Sequence, residues 1–247
     1  MLDRVRNKRQ TSQLYHVEMD TVRRESHGKA YNETAQDTWD KQAEIDLEAR
    51  TDNEQEAAMM KDLVLKNRSY RRFYEDFAVD EQTLRDLVDL GRLSASAANK
   101  QPLRYILSCT PERNDLIFPT IAWAAYLKDW NGPSVGERPS AYIVVLADKE
   151  ISMNFNWDAG ISSQSILLGA VDQGLGGCML SSINKPSLMQ ALHIAEKYEV
   201  VLVLALGKPR EKVVIEPVGP NGDIKYWRDA EGTHHVPKRS LDDVIID

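Results

Sequence analysis

The chain has 247 residues, 42% of them hydrophobic, with 31 Lys+Arg against 38 Asp+Glu for a net charge of -7. That length suits one domain of moderate size or a smaller domain with an extension, and the acidic balance argues against nucleic acid as the main partner, because neutralising phosphates needs a concentrated basic surface. No window approaches the ~18 consecutive apolar residues of a membrane span, and Met1–Arg6 lacks the apolar core of a signal peptide. Two cysteines, Cys109 and Cys178, have no paired spacing and make no zinc or disulfide framework, so a reducing cytoplasm is the expected compartment.

Residues 1–58 carry 9 Lys+Arg against 13 Asp+Glu and few large aliphatics, and all ten prolines lie at or beyond Pro102. This stretch reads as a polar extension, disordered or loosely helical, with too little apolar surface to offset its ordering entropy. The folded unit is expected to start at Met59 and run to residue 247. Asp80 is placed to cap a helix carrying Leu84, Leu87, Val88 and Leu90, with Gly91 near its end. Arg104–Cys109 reads as a strand closed by Pro111. Residues 114–130 read as a helical stretch with Trp123, Tyr126 and Trp130 on one stripe, broken at Asn131-Gly132-Pro133. Ala141–Ala147 is a continuous apolar run, so a buried strand. Asp158 is placed to cap a Gly/Ser/Ala-rich helix through Ala170, followed by a strand from Gly176. Pro186 opens another helix, and Val200–Leu206 is the last core strand, stopped by Gly207-Lys208-Pro209. Strands alternate with helices, so the class is α/β or mixed α+β.

Two short runs carry the chemistry. In Asn67-Arg68-Ser69-Tyr70-Arg71-Arg72-Phe73, guanidinium groups and a hydroxyl suit a phosphate, for which Arg offers a planar set of donors. In Ser94-Ala95-Ser96-Ala97-Ala98-Asn99-Lys100-Gln101-Pro102, small residues let backbone approach a ring while two amides read a polar heterocycle edge. Either run alone is usually a solvated helix start or an ordinary loop. Their order and company point to a phosphorylated planar cofactor.

Read in sequence with Gly174-Leu175-Gly176-Gly177, Ala205–Pro209 and His235–Leu241, these runs resemble the nitroreductase family of flavin mononucleotide (FMN)-dependent oxidoreductases over roughly residues 60–247. The resemblance implies a central, mostly antiparallel sheet flanked by helices, and a homodimer with FMN at the interface. It implies cofactor contacts from Arg68, Ser69 and Arg71 in the phosphate and ribityl run, and from Ser96, Ala97, Asn99 and the adjacent Gln101 along the ring. It further implies backbone contacts from Met179, Leu180 and Ser181 near the flavin N5, and a return to the phosphate by Arg239 with Lys238. Asn67 departs from the family pattern, where a basic residue is common, which leaves one phosphate contact missing or moved to Arg72.

The expected activity is reduction of FMN by NAD(P)H and then of an electron-poor acceptor, such as a nitroaromatic or a quinone, in a ping-pong cycle. The flavin carries such chemistry, so no dedicated acid, base, nucleophile or metal is needed. The alternatives are a specialised flavin reaction (reductive dehalogenation or flavin fragmentation) and a flavin-binding module without turnover. Trp123, Tyr126 and Trp130 either shape the substrate pocket or pack the core. Cys178 reads as a buried small hydrophobe, His234-His235 as loop residues rather than metal ligands, and His193 as a helix-surface residue. Gly174–Gly177 follows a helix and precedes a strand, the reverse of a dinucleotide fingerprint.

Overall fold

The computed structural model describes residues 59–246 together with Lys41. The chain divides into two units, Met1–Ala58 and Met59–Asp247, and the expected extension lies outside the described residues. A helical segment over 59–66 leads into the Arg68–Arg72 run. Ser69 pairs in parallel with Gly177, and Tyr70 N–H donates to Gly177 O at 3.0 Å. A short strand β1 (Phe73–Tyr74) follows. Helix α1 (Glu81–Leu93) begins where Asp80 accepts the Thr83 N–H at 2.6 Å, as the sequence predicts. Its Leu84, Leu87 and Gly91 are buried.

The main sheet is organised around one strand. β5 (Tyr198–Pro209) pairs antiparallel with β3 (Ala141–Asp148), with β4 (Gly176–Leu180) and, at its end, with β1. β2 (Leu103–Ser108) pairs with the far edge of β3. Helices cover both faces, so β3 is buried at every position, which is why its sequence is continuously apolar rather than alternating. Ile143 and Val145 face α1 and α3 (Asn156–Asp172), meeting Leu84, Leu87, Ile166 and Leu167. Tyr142 and Val144 face the other way, toward Ile117, Trp123 and Leu188. Those residues belong to α2 (Pro111–Ile117), to the segment after it, and to α4 (Lys185–Ala191). No helix among the described residues is long and apolar enough to cross a membrane.

Three expectations are corrected. The helical stretch over 114–130 stops at Ile117, because Pro119 has no N–H to donate and its ring crowds the preceding turn. The chain makes a short 3-10 turn, Phe118–Thr120, then bridges Ile121 to Ile183 and continues irregularly. Trp123, Tyr126 and Trp130 therefore share no helix face. Trp123 is core and meets Trp130 edge-on at 6.4 Å, with Gly132 (φ 115°) tucked beneath its ring, whereas Tyr126 is 48% exposed. Second, β5 runs on through Gly207-Lys208-Pro209, because those residues pair with β4 and β1. Third, His193 sits past the end of α4 at φ 53°, in a turn rather than on a helix surface.

The small residues of α3 serve its own chain. Ala159, Ser162, Ser163 and Ala170 are buried, and a Cβ on Gly91 would lie 2.6 Å from Ser162 Oγ, so α1 and α3 pack closely. Gly177 is less forgiving at the same distance, since a Cβ there would lie 2.6 Å from the backbone oxygen of Ala205. Backbone cannot yield as a side-chain tip can. Gly177→Ala is expected to cost about 2–3 kcal/mol of stability, read as a lowered midpoint in urea. A wild-type midpoint would mean that β4 is free to move off β5.

Beyond β5 lies a second, smaller sheet of β6 (Val213–Pro217), β7 (Trp227–Arg228) and β8 (His234–Lys238). β8 is central, parallel to β6 and antiparallel to β7. The arm over residues 210–238 carries it.

Candidate functional site

The Arg68–Arg72 run lies against the start of β4. Arg68 is half-buried, donates Nη2 to Val64 O at 2.7 Å, and keeps a buried Nε without a partner. Ser69 is exposed. Among the described residues, no carboxylate comes within 4 Å of the Arg68 guanidinium. An unspent guanidinium N–H beside an exposed hydroxyl is a donor set that fits a phosphate. Arg71 is turned inward and only 8% exposed. Its Nη1 donates to Ser69 O at 3.1 Å and meets His234 Nε2 at 3.2 Å. Arg72 is paired with Glu137, Nε to Oε2 at 2.9 Å.

The second run is held by a residue that the sequence reading assigned to another task. Asp158 lies in the first turn of α3, but the N-cap position is Phe155, which makes no side-chain cap. The Asp158 carboxylate, 4% exposed, instead reaches across to the loop, accepting Ser96 Oγ–H at 2.7 Å and Ala97 N–H at 2.9 Å. Ser96 Oγ in turn accepts the Gln101 N–H at 2.9 Å. This relay closes a loop in which Ala98, Asn99 and Gln101 all have positive φ, at 51°, 52° and 50°. Such backbone in non-glycine residues costs on the order of 1–3 kcal/mol each and persists only where the surroundings enforce it. Asn99 and Gln101 remain exposed, and Gln101 Nε2 donates to Asn99 Oδ1 at 3.1 Å. Beside the loop lies a cavity of about 520 Å3 whose lining includes Ser96, Gln101, Arg104, Tyr105, Asp158 and Ser162. No local sequence signal marks Asp158 for this task, because its partners lie some sixty residues earlier.

The remaining expected contacts fall in two places. Met179 is half-buried and Leu180 buried in the sheet, and Ser181 follows exposed at its end. There Ser182 O accepts the Ala122 N–H at 2.9 Å, so the Trp123–Trp130 segment begins beside the end of β4. Lys238, at the far end of β8, and Arg239, just past it, are exposed, four and five residues from the His234 that meets Arg71. The two principal runs stay apart. Gly177, which pairs with Ser69, lies against Leu167, nine residues along α3 from the Asp158 that holds Ser96. At 1.5 Å per residue that is an axial offset of about 14 Å. The cavity beside the loop is lined by none of Arg68, Ser69, Arg71, Met179 or Arg239.

The histidine pair is not in a loop, as its sequence suggests, but in β8, because both residues pair with β6 and β7. Cys178 is buried beside Ser69, and burial pushes its thiol pKa up. Among the described residues no group of three His, Cys, Asp or Glu is placed to hold a metal ion. His235 is instead a clip, with Nδ1 3.0 Å from Glu216 and Nε2 3.2 Å from Asp229, and with its ring stacked 4.0 Å from Trp227. The Asp229 bond and the Glu216 carboxylate raise the His235 pKa. Bonds from Trp227 and His235 lower that of Glu216; Asp229, which burial alone would raise, is held low by His235 and Thr233.

The signs set a window. The His235 contribution is complete below its ordinary value of about 6.5 and is lost as pH rises through the raised one. The carboxylate contributions are complete above about 4 and are lost as pH falls through the lowered values. Protection of the β6–β8 amides against hydrogen exchange, corrected for intrinsic rate, is expected to fall as pH rises above about 6.5. In His235→Gln that fall should vanish. An unchanged fall would place the titration elsewhere.

A sheet covered on both faces thus carries an arginine–hydroxyl turn at β4 and a strained amide loop held at the opening of α3. The nitroreductase family model matches residues 64–208, and the chain belongs to that family of oxidoreductases. Solved structures agree. A nitroreductase family protein from Clostridium novyi NT is 26% identical, covering 61% of this chain and 86% of its own, with a TM-score of 0.51. The nitroreductase family protein from Streptococcus pneumoniae TIGR4 is 16% identical, covering 76% of this chain and 99% of its own, with a TM-score of 0.55.

Proposed function

We propose that this protein is an FMN-dependent oxidoreductase that takes electrons from NAD(P)H and passes them to an electron-poor acceptor such as a nitroaromatic or a quinone. The observation that carries this reading is the Arg68–Ser69 donor set, unspent at the edge of β4, in a chain of this family. When bound, FMN would supply the two-electron redox chemistry of such a ping-pong cycle. Arg68 and Ser69 hold the phosphate, and Arg239 with Lys238 adds positive charge. Asn99 and Gln101 offer amides to the polar edge of the ring, on a loop fixed in advance by Asp158. Met179–Ser181 contribute backbone at the end of β4.

The working unit is read as a homodimer with FMN at the interface. The first test is the visible spectrum of the purified, dialysed protein, followed by anaerobic addition of NADH and of NADPH. Flavin bands that bleach with either are the expected result. A colourless protein that FMN cannot reconstitute would overturn the reading. A flavin that binds but is reduced by neither nicotinamide would favour a binding module.

A further inference from the structure

The family match ends at residue 208, yet the groups that brace the Arg68–Arg72 run come after it. Glu211 Oε1 accepts the backbone N–H of Arg71, and that of Arg72 at 3.2 Å. Arg210 N–H donates to Arg72 O at 2.9 Å. The other Glu211 oxygen takes Arg228 Nη2 at 2.9 Å, with the Glu211 side chain only 1% exposed. The Arg71 guanidinium lies 4.8 Å from the ring centre of Tyr226, which also packs on His234 at 5.2 Å. His234 is 1% exposed, and burial with the nearby Arg71 and Arg228 charges pushes its pKa down to about 4, so its ring is neutral and Nε2 accepts from Arg71.

The charge count in this cluster is uneven. Glu211 pairs with the Arg228 guanidinium and reaches Arg71 only at its backbone N–H, and Arg71 Nε, Arg228 Nε and His234 Nδ1 are buried without partners. Buried charge is normally paired, because desolvation otherwise penalises it heavily. The surplus positive charge lies directly behind the Arg68–Ser69 turn, to which Arg71 Nη1 is bonded through the Ser69 carbonyl.

We propose that Glu211, Tyr226 and His234 are positioning residues for the phosphate end of the cofactor site. Acting through Arg71, they fix the Ser69 peptide and keep uncompensated positive charge behind Arg68 and Ser69. The inference rests on the FMN reading above. It gives the 210–238 arm a part in recognising an anion, and it makes the phosphate site depend on residues outside the matched domain.

The test uses the full-length apoprotein and two ligands that share a ring, FMN and riboflavin, titrated by quenching of flavin fluorescence. His234→Phe keeps the aromatic packing and removes the Arg71 acceptor. Tyr226→Leu removes the face beneath the guanidinium. Each should weaken FMN about 5- to 30-fold, the span of a lost cation–π contact or a charge-assisted bond, and leave riboflavin within about twofold. Equal losses for both flavins would reduce the arm to a structural role, and no loss for either would remove its role altogether; both overturn the proposal. Should one variant fail to fold, as the melting of its apoprotein would reveal, the other carries the same comparison. Wild-type protein that binds neither flavin would sink the FMN reading itself, a result distinct from any of these.

Discussion

Asp158→Ala is expected to weaken FMN and riboflavin together, by about 10- to 100-fold, and to lower turnover with any acceptor. The carboxylate accepts two hydrogen bonds from the loop and, through Ser96, controls a third. A bond to a charged group is worth about 1.5–3 kcal/mol. Three residues held at positive φ store on the order of 1–3 kcal/mol each. The restraint and the strain are therefore comparable, and removing the carboxylate lets Ala98, Asn99 and Gln101 relax away from the geometry that aims their amides. Water can satisfy the freed Ala97 N–H, since Ala97 is exposed, so the fold itself should survive. Ser96→Ala interrupts the same relay one bond later. In a double-mutant cycle the two substitutions should be far from additive. Simple additivity, or a loss confined to FMN, would show that Asp158 does not act through this loop.

Arg68→Ala is expected to do the converse, weakening FMN about 10- to 100-fold while sparing riboflavin, through loss of a charge-assisted bond of about 1.5–3 kcal/mol. Arg68 has a buried Nε with no partner, so the substitution also removes an unsatisfied donor and should leave the apoprotein at least as stable. Arg239→Ala belongs in the same experiment. Arg239 is exposed past the end of β8, and no carboxylate lies within 4 Å of it among the described residues. If it returns to the phosphate, its loss should show the same preference for FMN and a weaker salt dependence of binding. Unchanged FMN affinity in both variants would mean that the phosphate sits elsewhere.

How much of this was legible in the sequence varies with how local the cause is. The α1 start was readable because Asp80 caps a helix whose apolar spacing follows at once. The buried strand at Ala141 was readable because two covering layers leave it no polar face. The stripe of Trp123, Tyr126 and Trp130 misleads, because its spacing is helical while Pro119 interrupts the ladder and the chain beyond it bridges Ile121 to Ile183. The sheet beyond Pro209 went unread for another reason. β8 is His-His-Val-Pro-Lys, polar and interrupted, and it is a strand only because β6 and β7 lie on either side of it.

The site divides in the same way. Arg68, Ser69, Asn99 and Gln101 stand in short runs whose composition already suggests their chemistry. Asp158, Glu211, Tyr226 and His234 do not, because each acts on a run at least sixty residues away in sequence. Periodicity reports which face of an element is covered; it carries no record of which distant backbone a buried carboxylate will reach.

The arrangement of β5 has a consequence for how the domain opens. Val203–Leu206 are bonded to β3 on one side and β4 on the other, and all four are buried. No partial opening frees them, so their amide protons should leave only when the whole sheet comes apart. These four protons are a clock for global unfolding. A ligand held only by the folded domain should slow all of them by one common factor, set by its concentration relative to its dissociation constant. The same chain then reports its own occupancy from the middle of its sheet.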